Sequence, residues 1–180
     1  MNDLIWLGPS VQARRRELGL TQTVLARWAG LSRATVNALE SGALGDLSVG
    51  RLGRVLQLLG LRLGLQGAGG AALVQAPKAT SKQHKAALHS ALNAAAQTAS
   101  VSYAQAMPPA ALLSALTSGE MAAPYQPHLA TLLDEAPLPM VVAAVDAAAQ
   151  LSGMPAAQVW KHVGGWAREM RCTRAEWQDL

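Results

Sequence analysis

The chain has 180 residues, 51% of them apolar and only 14% charged, with a formal net charge of +4. That balance excludes a charge-rich disordered chain, and a length of this order makes one large domain or two small ones. Alanine and leucine supply most of the apolar share, phenylalanine is absent and β-branched residues are sparse, which favours helices over sheets. The most promising apolar stretch, Met140 to Leu151, carries Asp146 in its middle and falls short of the about 18 uninterrupted apolar residues that a membrane span needs. Met1-Asn2-Asp3 lacks the basic residues and apolar core of a secretion signal, so a cytoplasmic protein with no membrane association is expected. The single cysteine, Cys172, can form neither an internal disulfide nor a metal site by itself.

Four helical patterns come first. Leu7, Val11 and Leu18 mark an amphipathic helix ended by Gly19. Thr21 caps a second, carrying Val24, Leu25 and Ala29 and stopped by Gly30; Ser32 caps a third, with Val36 and Leu39 inward and Gly42 at its end. Ser48 caps a fourth with Leu52, Val55, Leu56 and Leu59, closed by Gly60. Side-chain oxygens satisfy the orphan amides at helix starts, and glycine takes the left-handed turn at helix ends. The period then changes to two: Leu61-Arg62-Leu63-Gly64-Leu65 reads as a short strand. The run Gln66-Gly67-Ala68-Gly69-Gly70-Ala71-Ala72, followed by Pro77, Thr80 and Ser81, reads as part of a flexible linker over 67–80.

Beyond it the expected helices are Ser81–Thr98, Pro109–Thr117, Pro127–Glu135, Pro139–Ser152, Pro155–Met170 and Thr173–Leu180. Four of them open at proline, whose missing N–H costs nothing in a first turn, and Thr173 with Glu176 has the spacing of a capping box. Gly164-Gly165 either kinks or breaks the fifth of these. Ala149, Gly153, Pro155 and Val159 copy the spacing of Ala26, Gly30, Ser32 and Val36. The expected architecture is mainly α, with a four-helix domain and short strand at 1–66, a linker at 67–80 and an all-helical domain at 81–180.

Charge is unevenly distributed. Residues 1–66 hold eight arginines against four acids, whereas residues 67–180 hold seven basic and seven acidic side chains. An arginine excess confined to one domain is the electrostatic footprint of nucleic-acid contact. Within that domain the run from Leu20-Thr21-Gln22 through Leu25-Ala26, Gly30, Ser32, Val36 and Leu39-Glu40 to Gly42 resembles the helix-turn-helix of the Xre/Cro-type repressors, over about residues 7–65. The resemblance implies a DNA-binding repressor whose third helix enters the major groove. Its reading positions fall on Ser32, Arg33, Ala34, Thr35 and Asn37. Arg33 suits guanine, Asn37 adenine or a phosphate, and Ala34 a thymine methyl. Gln22 falls where the family contacts the backbone and sometimes a base, and Thr21 and Arg27 suit phosphates.

A strand in place of a fifth helix is similar to the HipB-like antitoxin-repressors, in which strands of two subunits pair. With no partner expected in its own domain, the strand with Leu61, Leu63 and Leu65 is expected to hold a homodimer on a palindromic operator. The reading is then an antitoxin that represses its own operon and holds a toxin on its C-terminal domain. Trp160, Val163, Trp166 and Met170 form a helical stripe that is either core or, with Trp177, a partner-binding patch. The alternative is a one-component regulator sensing a small molecule in a pocket lined by Tyr125, His128 or His162.

No enzyme signature is present: His84, His89, His128 and His162 lack a ligand cluster, Asp134-Glu135 point apart, and the glycines at 64–70 miss the phosphate-binding patterns. No cofactor or metal is expected.

Overall fold

A computed structural model describes residues 7–64, 73–75, 81–178 and 180. The chain divides into two compact units, Met1–Lys78 and Ala79–Leu180.

In the first unit, helices α1 (Leu7–Glu17), α2 (Gln22–Ala29), α3 (Arg33–Glu40) and α4 (Val49–Leu58) enclose a core of Leu7, Val11, Leu18, Leu25, Val36, Leu39, Val55 and Leu59. The start and stop residues do what their chemistry dictates. The Thr21 hydroxyl accepts from the Val24 amide at 3.1 Å and the Ser32 hydroxyl from the Thr35 amide at 3.0 Å. Gly30, at φ 67°, makes the left-handed turn that sends α3 across α2. Ser48 stands at the cap position of α4 but makes no side-chain capping bond. Gly8 has a different task. A Cβ there would lie 2.5 Å from the Leu39 carbonyl oxygen and 2.6 Å from that of Glu40, so its missing side chain lets α1 lie against the end of α3.

The strand differs from expectation. β1 spans Arg62–Gly64 and pairs antiparallel with β2, Leu73–Gln75, in register Arg62↔Gln75, Leu63↔Val74 and Gly64↔Leu73. The partner that the sequence pattern did not reveal is thus in the same chain, inside the stretch read as linker, and one edge of β1 is paired without a second subunit. Leu61 precedes the strand and is buried. Leu65, the last of the three residues assigned to dimerisation, lies outside the described residues.

The second unit comprises α5 (Ser81–Ala99), α6 (Pro109–Ser118), α7 (Gln126–Glu135), α8 (Leu138–Ser152) and α9 (Ala156–Glu169), with 3-10 turns at Ala123–Tyr125 and Ala175–Trp177. α5 packs most extensively on α8. Alanines 95, 96 and 99 on α5 and 144, 147 and 148 on α8 are buried, and such short side chains allow close approach of helix backbones. Gly164-Gly165 does not break the helix: α9 runs through both, and Gly164 makes room for Leu180, whose Cβ would stand 3.0 Å from an added Cβ. Gly153, at φ 73°, joins α8 to α9 by a left-handed turn like that of Gly30.

Two further expectations are corrected here. The helix expected over Thr173–Leu180 is a single 3-10 turn without the capping box. Arg174 instead donates to the carbonyls of Leu133 (3.2 Å) and Ala136 (2.7 Å) at the end of α7, and these tertiary bonds set the segment's path. Trp160, Trp166 and Trp177 do not form a partner-binding patch; they are core residues, 3%, 2% and 3% exposed. The indole N–H groups of Trp166 and Trp177 find internal acceptors, Gly119 O at 2.8 Å and Leu133 O at 3.1 Å, which makes their burial affordable.

Candidate nucleic-acid interface

α3 has two unlike sides. Val36, Leu39 and Glu40 are buried, while Arg33, Ala34, Asn37 and Ser41 are exposed; at 3.6 residues per turn these four share one face. Ser32 and Thr35 stand at its N-terminus with their hydroxyls 2.8 Å apart. The N-terminal turn is the part of a groove-bound helix that reaches base edges.

What holds this helix is an ionic hub absent from the sequence reading. Glu40, 5% exposed, receives two hydrogen bonds from the Arg15 guanidinium, Nε to Oε1 at 2.6 Å and Nη2 to Oε2 at 2.9 Å. Arg15 Nη1 donates to the Leu20 carbonyl at 2.7 Å, so the guanidinium is engaged along its fork. Gln22 and Gln12 add bonds to Glu40 Oε2 at 3.0 and 3.4 Å. Burial pushes the Glu40 carboxyl up, but the hydrogen bonds from Arg15, Gln22 and Gln12, together with the Arg15 charge, outweigh it and hold the group below its ordinary value. A signal for this hub was present: Arg15 occupies the apolar stripe Leu7, Val11, Leu18, where an arginine requires an internal partner.

The hub reaches the exposed face through Gln22, whose Nε2 also lies 3.3 Å from Asn37 Oδ1. Because a carboxylate can only accept, Glu40 fixes which end of the Gln22 amide faces inward, and Gln22 then turns the Asn37 oxygen toward itself. The structure therefore brings Gln22 and Asn37 together, and Ser32 with Thr35. Arg33 and Ala34 stand exposed beside them. Thr21 is occupied in capping α2, and Arg27 is half-buried.

Apart from Arg14, which binds Glu17 at 3.2 Å, and Arg15, the described part of this unit carries Arg16, Arg27, Arg33, Arg51, Arg54 and Arg62 against Asp46. Arg54, not anticipated as a site residue, crosses to the α2–α3 turn, its Nη1 3.2 Å from where a Gly30 Cβ would be.

The crossed pair α2–α3, its glycine turn and the exposed polar face of α3 define the class: a helix-turn-helix domain of the kind that DNA-binding transcription regulators carry. Residues 11–66 match the family model described as Helix-turn-helix, HTH_3, of the Xre type. No curated protein and no solved structure matches the chain.

Elsewhere, no group of three or more His, Cys, Asp or Glu among the described residues is placed to hold a metal, and no described helix is long and apolar enough to cross a membrane. His84 bonds Gln150 (2.6 Å) and His162 bonds the Leu116 carbonyl (2.8 Å).

Proposed function

We propose that this chain is a transcription regulator, acting as a repressor, that reads duplex DNA with Arg33, Ala34 and Asn37 on α3 while Gln22 and the surrounding arginines engage the phosphates. The observation that carries the reading is the exposed face of α3, anchored from behind by the Arg15–Glu40 hub in a unit with a large arginine excess. Recovery of bound duplexes from a random library, followed by titration at several salt concentrations, tests it. A single enriched motif, with affinity falling steeply with salt, is expected. Failure to bind any duplex at low salt overturns the reading.

Action as a homodimer on a palindromic site belongs to this proposal, since two recognition helices one DNA turn apart read a two-fold site. The narrower reading as an antitoxin holding a toxin rests on the resemblance of residues 7–65. It loses the observation offered for its partner surface, because the three tryptophans are internal. A second reading, a one-component regulator sensing a small molecule, is favoured by a cleft of about 260 Å³ in the second unit, lined in part by Tyr125.

A further inference from the structure

The cleft lies between α6, residues 119–122 and the start of α7. Its α6 wall consists of Ala111, Ser114, Ala115 and Ser118, positions that recur at helical spacing and so form one stripe of small side chains. Leu129 lies at its buried end. The space left by these small residues is filled by nothing from the described chain.

Two polar side chains on the cleft make no hydrogen bond or ion pair with the described residues: the carboxylate of Glu120, which is exposed at the rim, and the hydroxyl of half-buried Tyr125. Glu120 is placed by the turn after α6, where its backbone N–H donates to the Ser118 hydroxyl at 3.1 Å. No lysine or arginine lines the cleft, so the charge at its rim is negative. Tyr125 is backed by an aromatic stack. Its ring meets His128 edge-on at 5.7 Å, and His128 stacks on Tyr103 at 4.2 Å. His128 Nε2 donates to the Gln105 carbonyl at 2.8 Å, which fixes the ring behind the wall.

We propose that this cleft binds a small organic cation, an amine or ammonium group carried on a single ring or short chain. An apolar floor accepts the body of such a molecule, and the carboxylate with a neighbouring aromatic ring accepts its charged head. An anion would meet Glu120 with no counter-charge. The inference rests on the sensor reading for its regulatory meaning, while the binding itself involves the second unit alone.

Calorimetric titration of the full chain with phenethylamine and with its neutral counterpart 2-phenylethanol tests it. Phenethylamine is expected to bind saturably at one site, about fivefold more tightly than the alcohol, as suits a solvent-accessible ion pair. Glu120→Gln is expected to abolish that preference. Ala111→Phe, and independently Ser114→Leu at the exposed lip, are expected to block both ligands while the melting temperature shows the chain still folded. Absence of binding, a preference that survives Glu120→Gln, or binding untouched by both blocking variants overturns the proposal. DNA titration with and without phenethylamine separates the two readings. Binding that leaves DNA affinity unchanged overturns the sensor reading, and the cleft assignment stands on the calorimetry.

Discussion

Arg15 and Glu40 are 7% and 5% exposed, and each would be an uncompensated buried charge without the other. Glu40→Ala is therefore expected to destabilise the first unit by about 3–5 kcal/mol, measured by urea unfolding, and to weaken DNA binding because Gln22 loses its anchor. The same hub sets an acid limit. With its folded-state value held below the ordinary 4.5, Glu40 keeps its full stabilising contribution above about that pH and loses it as pH falls through the lower folded value. Melting temperatures taken from neutral pH downward should show this loss in the native chain and a shallower one in Glu40→Gln. On the exposed face, Arg33→Ala is expected to cost on the order of 1–3 kcal/mol on the preferred duplex and to relax preference at one position of each half-site. An equal loss on every single-base variant would sink its reading role. Cys172 belongs to neither site. Burial, then the Asp134 charge and hydrogen bond, push its thiol up to about 11, so iodoacetamide should modify it slowly in the folded chain at neutral pH and rapidly in urea.

At the scale of elements, glycines divide by what surrounds them. Gly8 touches the backbone at the end of α3, and backbone cannot yield as a flexible side chain does. Gly8→Ala is expected to cost about 1–3 kcal/mol and to displace α1 from α3, lowering DNA affinity as well. Gly50 and Gly53 on α4 are exposed, with nothing within 4 Å of an added Cβ. Gly53→Ala should stabilise the chain by about 0.5–1 kcal/mol, since glycine in a helix interior costs that much relative to alanine. Thermal melts of the two variants give shifts of opposite sign if the α1–α3 contact is as described. Helix boundaries of this kind are legible in sequence because caps are local: Thr21, Ser32 and Gly30 act on amides and carbonyls within four residues of themselves. The β1–β2 pairing is not local. Gly64 meets Leu73 across a stretch whose composition reads as linker, and no neighbour in sequence marks the partner.

At the scale of the whole molecule, the charge lies with the first unit and most of the aromatic core with the second. Trp28, Trp160, Trp166 and Trp177 are all buried, so in a Trp6→Phe variant, which removes the one tryptophan outside the described residues, acrylamide should quench the native fluorescence weakly and that of the unfolded chain strongly. Strong native quenching would restore an exposed tryptophan patch and with it the partner surface. The one cleft argued to hold a ligand is shaped by what α6 lacks, a row of bulky side chains.

The nine α-helices among the described residues, the caps at Thr21, Ser32 and Gly30, the arginine excess and the residues that α3 presents are legible in the sequence, because each depends on periodicity or on chemistry a few residues away. Arg15 sits on the apolar stripe of α1, a signal that names no partner. Tertiary structure alone decided that Glu40 is that partner, 25 residues away, and that Gln22 links the hub to Asn37. It alone decided between core and patch for the tryptophan stripe. A helical stripe is the same in either case, and what distinguishes them is whether Leu133 and Gly119 offer carbonyls to the indoles. The same reason places the end of the chain: Thr173 and Glu176 have the local spacing for a helix start, but Arg174 gains more from the carbonyls that close α7, and a bond made across the fold overrides one available within a turn.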